Sequence, residues 1–189
     1  IGNPSAARTR RGGKAPSGEV GWFKDSARSG GRLLDLAIHD FDWLRWTLGE
    51  VNLVFASSVG HSHPGMPGDY ALTTLTFDAG AVAHVEATWM EPGPSRVTFE
   101  VCGSEGMIEY DNRINPVLRT TTDSSSATES PLFPTDDPYY LQLKGFIHAV
   151  SSGSPVPVSG LDGLMAVSIA RAAIESAQTG KPVVPARHV

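Results

Sequence analysis

Cysteine is almost absent from this chain: Cys102 stands alone among 189 residues. A single thiol excludes an internal disulfide and any zinc centre built on several thiolates. Val97, Phe99 and Val101 beside it form an apolar run, so we expect a buried structural thiol in a reducing cytoplasm. Positive charge is not in excess either. Lys and Arg number 15 against 20 Asp and Glu, for a formal net charge of −5, so the balance recruits neither nucleic acid nor an anionic membrane surface. No stretch approaches the ~20 consecutive apolar residues of a spanning helix. The chain opens Ile1-Gly2-Asn3-Pro4, without an initiator methionine or the basic and apolar regions of a signal peptide, and the expectation is a start inside a longer protein.

What is present fits one globular domain over 1–189, with 40% hydrophobic and 19% charged residues. Residues 1–30 are rich in Gly, Arg, Ser and Pro, with one short strand expected at Ser5–Arg11. Gly30-Gly31 then introduce a helix over Arg32–Leu48, stopped by Gly49. Apolar residues on nearly every side of it predict a buried helix. Short β-branched or aromatic segments follow at Val51–Val59, Tyr70–Phe77, Ala81–Met90, Val97–Cys102, Met107–Tyr110 and Val117–Thr122, separated by Gly- and Pro-containing turns. In Ala81–Trp89 one face is apolar and the other carries His84, Glu86 and Thr88, the pattern of a sheet packed on one side. The low-complexity stretch Thr120–Pro138 reads as a surface loop. Two helices close the chain, Tyr139–Ser152 and Leu161–Thr179, the second with Ser159 as N-cap and Gly180 as its stop. The order is that of an α+β fold: a largely antiparallel open sheet of about six strands, with helices on one face.

Chemistry concentrates at Asp35-Leu36-Ala37-Ile38-His39. Residues four apart on a helix lie one turn above each other, so Asp35 and His39 share a face, and Asp42 joins that side. Charged groups within an apolar helix need a reason. Acid–base work is one, since histidine titrates near neutrality and a carboxylate orients its ring. A structural His–Asp pair at the helix surface is the other. His61 and His63, with His39 and Asp35, raise a third reading, a metal-dependent hydrolase or isomerase; their Gly- and Pro-containing surroundings favour a solvated loop instead.

The run from Ser29-Gly30-Gly31 through Asp35, His39 and Asp42 to Trp46 and Leu48-Gly49 resembles the signature at the head of the C-terminal domain of the glucose–fructose oxidoreductase, inositol dehydrogenase and MocA family. Ile1-Gly2-Asn3-Pro4, Gly103-Ser104-Glu105-Gly106-Met107-Ile108-Glu109 and Thr179-Gly180-Lys181-Pro182-Val183 agree with it in order, so the resemblance spans nearly the whole chain. It implies a fold like the C-terminal domains of dihydrodipicolinate reductase and glyceraldehyde-3-phosphate dehydrogenase. It also implies an NAD- or NADP-dependent oxidoreductase acting on a sugar or polyol, with His39 as acid–base residue and Asp35 tuning it or binding substrate. The sheet's open face is implied as a homo-oligomer interface. Asp42, Arg11 and Trp22 are candidate substrate contacts: Arg11 for its fork of donors, Trp22 for a ring that packs on sugars. An exposed arginine beside Arg8 and Arg10, and simple loop packing, remain open for the last two, and packing likewise for Trp89.

The departure is that no Gly-x-Gly-x-x-Gly follows a strand, and no strand–helix–strand unit is present to cradle a pyrophosphate. Gly180-Lys181-Pro182 echoes the family's Glu-Lys-Pro lysine segment without its glutamate and reads as a helix stop. The nucleotide-binding domain is therefore expected outside this chain, which would be inactive alone and would hold no cofactor or metal itself. A non-catalytic ligand-binding or oligomerisation module of the same fold is the alternative.

Overall fold

Strand after strand alternates a small or branched apolar residue with a polar one, and this period of two assigns the faces of the sheet. The computed structural model describes residues 1–14, 22–23, 25–59, 70–114, 118–129 and 137–187. In chain order the elements are β1 (Pro4–Gly12), α1 (Ser26–Ser29), α2 (Gly31–Asp35), α3 (Ile38–Leu48), β2 (Val51–Val59), β3 (Tyr70–Phe77), β4 (Val82–Thr88), β5 (Arg96–Gly103), β6 (Gly106–Asp111), β7 (Leu118–Thr122), β8 (Ser126–Glu129), α4 (Pro138–Ser152) and α5 (Gly160–Thr179).

The fold is α+β. One eight-stranded sheet runs β2-β3-β4-β1-β5-β6-β7-β8. Every neighbouring pair is antiparallel except β1 and β4, which are parallel because the chain passes through three helices and two strands before returning beside its first strand. Ala7 and Thr9 of β1, Ala71, Thr73, Leu75 and Phe77 of β3, and Ala83, Val85 and Ala87 of β4 are buried beneath the helices. The alanines let the helices approach closely. Phe41, Leu44 and Leu48 of α3 and Ile169, Ala170 and Ala173 of α5 fill that layer. Val183 exchanges backbone hydrogen bonds with Val54 at 2.8 and 2.9 Å, which covers part of the β2 edge. No described helix is long and apolar enough to cross a membrane.

Four local expectations need correction. The sheet has eight strands rather than about six, since β1 is a full member and Ser126–Glu129, within the expected loop, pairs with β7. Pairing supplies what its own propensity lacks. The expected single helix over Arg32–Leu48 is broken at Leu36–Ala37: the Ala37 N–H reaches back five residues to the Arg32 carbonyl at 2.7 Å, a wide turn that separates α2 from α3. Nor is α3 buried all round, because Phe41, Leu44 and Leu48 face the core while Trp46 is 83% exposed. Cys102 is half-buried; the period of two puts it on the open face with Thr98 and Glu100, opposite Val101.

Candidate active site

Arg11 is separated from Arg8 and Arg10 by strand geometry: it points to the helix side with Ala7 and Thr9. There its Nε donates to Asp40 Oδ2 at 2.9 Å and its Nη2 to Oδ1 at 3.4 Å. Asp40 is 4% exposed, and a carboxylate that deep is costly unless paired. Burial pushes its carboxyl above the ordinary value, while the Arg11 hydrogen bond, the Arg11 charge and His39 oppose the rise. The pair clamps the first turn of α3 onto β1. Sequence reasoning offered Arg11 as a substrate contact, whereas in the structure its guanidinium is engaged by Asp40.

His39 follows the wide turn on the exposed side of α3. The left-handed backbone of Gly30 and Gly31, at φ 75° and 69°, makes the sharp entry into α2 that brings this segment over the sheet. Asp35, at the end of α2, and Asp42, one turn beyond His39, are both half-buried. Burial raises the Asp35 carboxyl above its ordinary value and the charge of His39 opposes this. Burial also raises Asp42, helped by repulsion from Asp162 and opposed by Arg45 and His39. Three carboxylates thus feel the charge of one imidazole. The wide turn changes the strict helical offset between Asp35 and His39 but leaves them electrostatically coupled.

Trp22 meets Phe23 edge to face, with centroids 5.0 Å apart, and Phe23 meets Trp89 the same way at 6.4 Å. This cluster lies at the end of the sheet that carries Arg11, since Trp89 is two residues beyond Ala87, the register partner of Arg11. Both tryptophans thus pack against a common phenylalanine. His61 and His63 fall outside the described residues. Among the described residues no group of three or more His, Cys, Asp or Glu is placed to hold a metal ion. His84 faces the open side, its Nδ1 3.2 Å from Thr74 Oγ1.

Two features escaped the sequence. Asp40 sits beside buried Phe41, and only its partner on a distant strand reveals it. Arg45 holds Glu50 at 2.6 and 3.0 Å and Asp162 at 3.0 Å, tying α3 to the first turn of α5 across 117 positions. No local pattern encodes such a pairing.

An exposed imidazole with half-buried carboxylates before and after it in the chain, on a helix clamped to a strand end, is able to take up and release protons. A profile of the GFO/IDH/MocA C-terminal domain matches residues 1–109. The chain belongs to the GFO/IDH/MocA family. Within that family it is 36% identical over 164 residues to myo-inositol 2-dehydrogenase of Thermotoga maritima, covering 82% of this chain and 49% of the relative. It is 33% identical over 163 residues to scyllo-inositol 2-dehydrogenase (NAD(+)) of Bacillus subtilis, covering 82% and 48%. The chain thus spans about half the length of the curated relatives it matches. Levoglucosan dehydrogenase solved with NADH and L-sorbose shares the fold, with a TM-score of 0.83 at 23% identity, over 100% of this chain and 60% of that one.

Proposed function

We propose that this chain is the substrate-binding and catalytic domain of an NAD(P)-dependent oxidoreductase, moving a hydride between the hydroxyl-bearing carbon of a sugar or polyol and nicotinamide. The exposed imidazole of His39, with Asp35 and Asp42 half-buried on either side of it in the chain, carries the reading, and the family and its inositol-specific members support it.

The described residues do not fit the dinucleotide. The parallel pair β1 and β4 is joined by helices and two further strands rather than a single crossover helix, and the sequence after β1 lacks the Gly-x-Gly-x-x-Gly spacing. The nucleotide is assigned to a domain outside these residues; when bound, nicotinamide supplies the hydride chemistry. The residues of this chain supply orientation and proton transfer. The exposed imidazole of His39 takes the hydroxyl proton of the substrate and returns it in the reverse direction. Asp35 and Asp42 accept hydrogen bonds from neighbouring hydroxyls and hold the ring in place. Arg11 acts through Asp40, keeping the turn that bears His39 against the sheet. Without the nucleotide half the chain is inactive. We further assign the open face of the sheet to a homo-oligomer interface, supported by exposed Leu53, Phe55, Val59, Leu72 and Val82 on its β2–β4 half. The cytoplasm suits its lone thiol.

The test is His39→Asn in the whole enzyme. Turnover should fall by ~100-fold or more while nucleotide affinity changes little, as for loss of a general base. Near-unchanged turnover refutes the assignment.

A further inference from the structure

Arg10 and Arg11 are neighbours on β1, and their side chains leave the strand on opposite faces. Arg11 goes to Asp40 at the start of the helix that bears His39. Arg10 goes to the open face, where its Nη2 meets Glu91 Oε1 and its Nε lies 3.2 Å from Glu86 Oε1. Glu91 belongs to the turn 89–95, which joins β4 to β5. Its second oxygen accepts from Arg113 Nη2 at 3.4 Å, and the same nitrogen donates to the Pro94 carbonyl of that turn. The Glu91 side chain is only 15% exposed, and a carboxylate so far withdrawn from water is costly unless cations answer it. β1 leaves room for it: a Cβ at Gly12 would stand 2.9 Å from Glu91 Cδ and Oε2.

The turn has little apolar anchorage of its own. Pro92, Gly93, Pro94 and Ser95 are exposed, and so is Met90. Polar contacts hold it instead: Glu91 to β1, Arg113 to the Pro94 carbonyl, and Asn112 Nδ2 to the Ser95 carbonyl at 3.0 Å. What the turn carries is Trp89, two residues before Glu91 and two beyond Ala87, the register partner of Arg11. Its indole packs edge to face on Phe23 and keeps part of its surface in solvent. A loop can present a binding group only when a rigid scaffold fixes it. Here one strand end supports both: Arg11 holds the helix of His39 from one face, and Arg10 with Glu91 holds the turn of Trp89 from the other. We propose that Glu91 is a positioning residue, fixing the indole of Trp89 so that it packs on the C–H face of the sugar or polyol and sets substrate affinity. Trp89 touches the substrate, and Glu91 acts through it. This rests on the oxidoreductase reading.

The experiment is a double-mutant cycle in the whole polypeptide encoded by the gene, with Glu91→Gln, Trp89→Leu and the two combined. Its probe is the cyclitol or pyranose that the wild type turns over best. Glu91→Gln keeps the side chain's volume and leaves Arg10 with Glu86 and Arg113 with the Pro94 carbonyl, so neither guanidinium is stranded. Trp89→Leu keeps bulk against Phe23 and removes the ring. Each single variant should raise KM by ~10-fold, the scale of one lost apolar contact. kcat should stay within ~2-fold, the signature of lost uniform binding, and affinity for NAD(H) or NADP(H) should not change. The combined variant should raise KM no further than Trp89→Leu alone, because Glu91 then has no indole to position. A wild-type KM in Glu91→Gln overturns the assignment, and with a lowered urea midpoint it makes Glu91 a brace of the fold alone. KM effects that multiply in the combined variant overturn it too. Failure of the oxidoreductase reading looks different: the wild type then turns over no cyclitol or pyranose, and this assignment falls with it.

Discussion

α4 and α5 are written in the same local grammar and meet opposite fates. Each has an acceptor at its N-cap, Asp137 taking the Tyr140 N–H and Ser159 taking the Asp162 N–H within a capping box, and each ends at a glycine in the left-handed region, Gly153 and Gly180. α5 then buries Met165, Ala166, Ile169, Ala170, Ala173 and Ser176 against β2 and α3. α4 buries Ala149 alone. The difference lies in the side chains between the caps. The buried stripe of α5 is mostly alanine and serine, which brings its backbone close enough for Ser176 Oγ to accept the Ala56 N–H at 2.9 Å. The stripe of α4 is aromatic and branched, suited to reaching into another body. Caps decide that a helix forms and where it stops; residue size decides how near its partner must come.

The largest expected effect separates these helices directly. In the 189-residue chain Ile169→Ala should cost about 2–5 kcal/mol, the price of a core truncation with its residual cavity, whereas Ile147→Ala should stay within about 0.5 kcal/mol, as surface substitutions do. Urea unfolding of the two variants measures both, and equal losses would break the contrast. The caps come next. Ser159→Ala should cost about 1 kcal/mol, since α5 unfolds with the core. Asp137→Ala should leave the global midpoint unmoved and only speed exchange in the first turn of α4, because that helix opens locally. A midpoint shift as large as that of Ser159→Ala would show α4 to be part of the cooperative unit.

Much of this was legible in the sequence, for reasons that also explain what was not. The alternation in β4 announced its packed face, and Ser159, Gly180 and the Gly30-Gly31 pair announced helix ends, because those signals are local and steric. The signature around Asp35 and His39 announced the family. Four things were not readable. β8 has too little apolar patterning to be distinguished from a loop without its β7 partner. The parallel neighbour of β1 arrives after some seventy residues of intervening chain. The wide turn at Ala37 leaves the 3.6-residue rhythm nearly intact on either side. Arg11 and Asp40 are ordinary charged residues until the fold brings them together. Apolar periodicity also misled at α3: it called for a helix buried on nearly every side, and Trp46 stands in solvent.

The smallest expected effect concerns how far each cap reaches. The Asp162 carboxylate accepts hydrogen bonds from the Ser159 hydroxyl at 2.7 Å and its backbone N–H at 2.8 Å, and from Arg45 at 3.0 Å. Those three donors, the Ser159 hydroxyl foremost, pull its pKa down from 3.8 to about 2. A carboxyl whose folded pKa lies below its unfolded one contributes stability that is fully present above the unfolded value and disappears as pH falls through the folded one. The contribution of Asp162 should therefore be whole above pH 3.8 and vanish toward pH 2. Asp40 slopes the other way, since burial raises its carboxyl and its cost to stability grows as pH climbs past the unfolded value. Asp162→Asn isolates the first effect: urea midpoints of wild type and variant, measured across this range, should converge as pH falls. Curves that stay parallel would mean that the carboxylate of Asp162 is not what joins α5 to α3, and that the two helices differ only in the surfaces between their caps.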